Sequence, residues 1–97
     1  MPTYISLLNF TDQGIRTVNE TIQRVDGATE RAQRFGVSLQ SAHWTVGPYD
    51  FVVMLEAPDD ESATAFLLDA ASRGAVRTTT LRAYDREEMS SILGRLG

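Results

Sequence analysis

Residues 44–57, WTVGPYDFVVMLEA, join two strand-like runs through a four-residue turn, and their reading decides the fold. Gly47 tolerates an unusual backbone angle, Pro48 has its φ fixed, and Asp50 can hydrogen-bond its own following backbone. Gly47-Pro48-Tyr49-Asp50 therefore reads as a hairpin loop. The run before it, residues 38–46, ends in aromatic and β-branched residues, and the run after it, residues 51–55, is apolar on both parities. A strand covered on one face would alternate. This one does not, so both of its faces are expected to be buried.

Upstream, residues 3–10 form a first strand with Ile5 and Leu7 on one parity and Tyr4, Leu8 and Phe10 on the other. Thr11 or Asp12 caps a helix in which Ile15, Val18, Ile22, Val25, Ala32 and Phe35 recur at three- and four-residue steps. Gly27 costs it roughly 1 kcal/mol relative to Ala and marks the expected weak point, and Gly36 ends it. Downstream, Pro58 breaks the strand and Asp59 caps a second helix with Ala63, Phe66, Leu67 and Ala70 as its apolar stripe, closed by Gly74. Residues 75–84 make a fourth strand. Asp85 and Glu88 form a capping box for a terminal helix with Met89, Ile92, Leu93 and Leu96 turned inward.

The order is β-α-β-β-α-β plus a helix, the ferredoxin-like α+β plan. The doubly apolar strands, first and third, belong in the centre, giving an antiparallel sheet in the order 4-1-3-2. Right-handed crossovers put both long helices on one face. The other face, carrying Leu8, Phe10 and one parity of the third strand, is left bare, a larger apolar patch than monomers usually show. A dimeric α/β barrel follows, with two sheets face to face and on the order of 800 Å² buried per partner.

Ninety-seven residues fit one domain spanning the whole chain. The chain has no cysteine, which removes disulfides, thiol catalysis and thiolate metal sites and fits a cytoplasmic setting. No run is long enough to span a bilayer and no signal peptide is visible, so no membrane partner is expected. A net charge of −4, with nine scattered arginines and no lysine, disfavours nucleic acid.

With YISLLNF (residues 4–10), TDQGIR (11–16), EAPDD (56–60) and VRTTTLR (76–82) added to the turn, the chain resembles the GYD domain family over nearly its whole length. The Gly-Tyr-Asp signature stands here as Gly47, Tyr49 and Asp50 with proline inserted. The resemblance implies a small ferredoxin-like domain, generally without an established activity. The second half is also similar, less closely, to the ligand-sensing domain of leucine-responsive transcription regulators, which form dimeric α/β barrels and bind amino acids at subunit contacts. No helix-turn-helix precedes the domain here, so regulation of DNA does not carry over.

His43, the single histidine, is of the residue type that can serve as a general base, but no partner acid stands at a fixed spacing. One histidine without cysteine also argues against zinc. Trp44 reads as a core or interface anchor. Asn9, His43 and Trp44 resemble in type the residues of small dimeric α/β-barrel monooxygenases and haem-degrading enzymes. Adjacent positions place His43 and Trp44 on opposite faces. Tyr49 and Asp50 follow the turn glycine, where an aspartate normally stabilises the loop itself, with an amine or hydroxyl at a subunit boundary as the alternative. Arg77, Thr79 and Arg82 suit a carboxylate or, equally, an edge strand that resists indiscriminate pairing. The expectation is a non-enzymatic, self-associating domain that binds a small polar metabolite and needs no cofactor. The alternative is an oxygenase or haem-handling enzyme on the same dimeric barrel.

Overall fold

A computed structural model describes all 97 residues, Met1–Gly97. Its strands are β1 (Thr3–Phe10), β2 (Ser38–Trp44), β3 (Phe51–Glu56) and β4 (Val76–Ala83), and its α-helices are α1 (Asp12–Arg16), α2 (Thr21–Ala32), α3 (Asp60–Ser72) and α4 (Arg86–Gly94). The class is mixed α+β. All pairings are antiparallel in the order β2-β3-β1-β4, so the two strands apolar on both parities are central as expected.

Register assigns every side chain to a face. Leu8 lies opposite Phe51 and Thr78, Ser6 opposite Val53 and Thr80, and Tyr4 opposite Leu55 and Arg82. These residues look toward α2 and α3, where Tyr4, Leu8, Phe51, Val53 and Leu55 join Ala32, Val37, Ala63 and Phe66 in one core. A bulge at Gln40 shifts the register of β2, which is why Leu39 and Ala42, of unlike parity, both face the helices.

The opposite face is open, and its residues differ from the expected ones. Leu8 is core, and Phe10 packs against the core and stacks on Phe51 at 5.4 Å. Ile5, Leu7, Val52, Met54 and Leu81 occupy the open face instead. The two-sided burial predicted for residues 51–55 therefore does not hold within one subunit: Phe51, Val53 and Leu55 are buried, whereas Met54 is 40% exposed.

The first helix is not continuous, and its break is not at Gly27. It stops at Arg16, passes through a 3-10 turn at Val18–Glu20 and resumes at Thr21. Thr17 leaves helical geometry at φ −115° and ψ 33°. The Arg24 guanidinium donates to its carbonyl (2.6 Å), to its hydroxyl and to the Gly14 carbonyl (3.5 Å), supplying donors that the interrupted helix lacks. The break turns Ile15, Val18 and Ile22 to solvent, so only Val25, Ala32 and Phe35 of the predicted stripe reach the core, joined by Ala28.

α1 is tied to the far end of the sheet. The Thr11 amide donates to the Ala75 carbonyl at 3.1 Å, and a Cβ on Gly14 would lie 1.9 Å from that same oxygen, so only glycine fits there. Gly36 ends the second segment at φ 72°, in the left-handed conformation.

α4 begins with the expected capping box: the Glu88 amide donates to Asp85 (2.7 Å) and the Asp85 amide to Glu88 (3.0 Å). Its apolar side, however, does not turn inward. Met89, Leu93 and Leu96 are exposed, because the helix starts beyond the end of β4 and makes no extended contact with another element. An Arg82–Glu88 ion pair at 3.7 Å holds its first turn. The radius of gyration is 14.5 Å, against about 13 Å for a compact chain of this length.

Candidate functional site

Two places could engage a partner: the open sheet face and a cavity on the other side of the sheet. Cross-strand rows lay out the face. One row reads His43, Val52, Leu7 and Thr79 from β2 to β4, and the next reads Ser41, Met54, Ile5 and Leu81. Asn9 and Arg77 pair beside Leu7 and Thr79. The centre of the face is hydrocarbon, and its two edges carry the imidazole, hydroxyls and a guanidinium. An apolar centre inside a polar rim is the usual anatomy of a protein interface.

Of the residues singled out from the sequence, His43, Arg77 and Thr79 share this face. Neighbouring strands run about 4.8 Å apart, so three spacings separate His43 from Thr79 along their row. Arg82 is on the other side. Four residues lie between it and Arg77, an odd offset of five positions, and the period of two sends them to opposite faces, so they cannot grip one carboxylate together. Arg82 stacks over Tyr84 (4.5 Å) and Tyr4 (5.6 Å) and donates to the Thr3 carbonyl at 3.1 Å.

Asp50 is occupied in the hairpin by side chain and backbone, and Tyr49 is held there through its carbonyl. The Asp50 carboxylate accepts from the Phe10 amide at 2.8 Å, its own amide donates to the Leu8 carbonyl at 2.8 Å, and its carbonyl accepts from the Thr45 amide at 2.9 Å. The Tyr49 carbonyl accepts from the Thr45 hydroxyl at 2.6 Å. Asp50 thus joins the turn to the end of β1, contacts that need the fold to be found. Trp44 faces the helices, stacked 6.0 Å from Phe51, with its indole N–H donating to the Thr21 hydroxyl at 3.1 Å. His43 and Trp44 are on opposite faces, as alternation requires.

The electrostatics are shaped by a few groups. Burial pushes the Tyr4 phenol up to about 12, reinforced by its hydrogen bond to Asp60. Hydrogen bonds from Ser62 hold the Asp59 carboxyl below its ordinary value, as befits a helix cap. Burial raises Asp69, but Arg73 and Arg31 outweigh it and leave its pKa lowered. No three histidine or acidic side chains converge on a point that could hold a metal ion. No helix is long and apolar enough to cross a membrane.

The cavity, of about 350 Å³, lies between the helix layer and the sheet, with Leu8, Val53 and Leu55 below and Val25, Ala28 and Leu67 above. Sequence reasoning missed it, because residues that line a void carry the same pattern as residues that fill a core. Neither His43 nor Asn9 lines it. It is therefore not the open cavity presenting His43 or Asn9 that the oxygenase alternative would need.

The chain is similar to known proteins over most of its length. The GYD domain model matches residues 4–93. The glutamine synthetase and cystathionine beta-lyase binding protein of Thermus thermophilus is 39% identical over 97 residues, which cover 99% of each chain. The crystal structure of TTHA0845, also from Thermus thermophilus, is similar in fold, with a TM-score of 0.55 and 25% identity over 89% of this chain and 100% of that one.

Proposed function

The chain belongs to the GYD domain family, and from that premise we propose that it is a non-catalytic, ferredoxin-like protein-binding domain. It pairs with a second copy through the open sheet face into a dimeric α/β barrel and works in the cytoplasm in that form. The observation that carries this reading is the face itself. Five apolar side chains, Ile5, Leu7, Val52, Met54 and Leu81, occupy its centre, and the chain's own helices cover only the other side. α4 leaves Met89, Leu93 and Leu96 exposed as well, so the subunit has two uncovered apolar surfaces. The full-length relative named for binding two enzymes supports a role in binding proteins.

In the barrel His43, Arg77 and Thr79 stand at the seam between subunits. A small polar metabolite there, the use implied by likeness to the leucine-responsive regulators, would meet those three residues and not Arg82.

Purified glutamine synthetase and cystathionine beta-lyase, titrated separately against the immobilised chain, test the protein-binding role. Saturable binding to at least one of them is expected. Absence of binding to both, with the chain folded, would overturn it.

A further inference from the structure

We propose that the cavity between the helix layer and the sheet is a binding site for an amphipathic anion: an apolar body with one carboxylate-like head. The proposal does not depend on the open face, which lies on the other side of the sheet. Protein interiors pack like organic crystals and leave few voids larger than a water. Here a cleft of about 350 Å³, half open to solvent, separates the two layers, within the size range of small-molecule sites. It has room for roughly a dozen non-hydrogen atoms.

The sequence leaves this space open by placing Gly27, Ala28 and Ala70 in the roof, where larger side chains would fill it. The interior calls for hydrocarbon. Its one buried floor hydroxyl, Ser6, is already paired with the Thr80 hydroxyl at 3.1 Å, and no buried side-chain nitrogen or oxygen lacks a partner. A polar ligand would find nothing there to satisfy, whereas an alkyl chain would gain about 0.8 kcal/mol per buried methylene.

The lining is cationic. Arg24, Arg31 and Arg73 contribute to it, and Glu20 is its only carboxylate. Arg31 (3.3 Å) and Arg73 (3.5 Å) share Asp69, so the three groups together retain one positive charge. Arg24 bonds only neutral oxygens, those of Thr17 and Gly14, and keeps its full charge. A carboxylate gains charge-assisted hydrogen bonds beside such groups, and an ammonium head is repelled.

The test compares decanoate, 1-decanol and decyltrimethylammonium, all below micellar concentrations, by calorimetry and by methyl chemical shifts of the full chain. Decanoate is expected to bind roughly tenfold or more tighter than the ammonium compound, moving the methyls of Val53 and Leu67. Arg24→Gln should reduce decanoate affinity about tenfold and leave 1-decanol unchanged. Ala70→Phe should abolish binding by filling the void. If that variant fails to fold, Ala28→Leu occupies part of the same space and should weaken binding. Three results would overturn the proposal: no decanoate binding up to about 1 mM, equal affinity for all three probes, or shift changes confined to Leu7, Val52 and Leu81 on the open face.

Discussion

Along β3 the two sides of one strand meet different surroundings. Phe51, Val53 and Leu55 enter the core beneath α2 and α3, Leu55 with no exposed surface at all, while Met54 between them is 40% exposed. Composition does not separate the two faces at their centre, since each presents an apolar block from the same two strands, β1 and β3. What separates them is the cover: helices on one side, nothing from the same subunit on the other. The covered face holds the fold together, and the open face has the side chains of a core without the layer that would complete it.

The largest test of that contrast is Leu55→Ala against Ile5→Ala. Leu55→Ala should lower the unfolding free energy by about 2–5 kcal/mol through lost burial and a residual cavity. Ile5→Ala should cost clearly less in urea titrations run where the chain is monomeric. Equal costs would mean that the open face is as buried as the covered one.

Next in size is Asp50→Ala. It strips the Phe10 amide of its acceptor at the join between turn and strand, so a loss of about 1–3 kcal/mol is expected in the same titration. A neutral outcome would return Asp50 to the list of free ligand-binding groups.

A smaller effect comes from alkali. The Tyr4 phenol is pushed up to about 12 from 10.0, so between those values the folded chain holds a proton that the unfolded chain has lost. Stability should fall as pH rises through that window, and Tyr4→Phe should flatten the fall. Identical pH profiles for the two proteins would show that Tyr4 is not set apart from water.

The smallest effect on the subunit's own stability belongs to Leu81→Asp on the open face. Leu81 touches solvent on β4, and the change should stay within about 0.5 kcal/mol for the monomer. Its consequence should appear in association instead.

Strand order, the Asp59 cap, the Asp85–Glu88 box and the α3 stripe were legible because each is a local pattern: alternation, a cap three residues from its partner, a helical step. The break at Thr17 was not, since it depends on Arg24 reaching back to carbonyls of the preceding turn. Parity separated Arg77 from Arg82 in the sequence itself, and counting along the strand would have found it. Which parity of β1 faced the helices was not accessible, because both are apolar and only pairing with β3 and β4 decides it. The anchoring of Asp50 to Phe10 joins residues forty positions apart, and the cavity is a property of fit between layers.

Light scattering of the purified chain across the micromolar range, with Leu81→Asp alongside, tests the central claim most directly. A wild-type mass of twice the 10.7 kDa subunit, reduced toward one subunit in the folded variant, is the predicted result. A stable wild-type monomer at 10.7 kDa would contradict it, leaving the open face as surface that water simply covers.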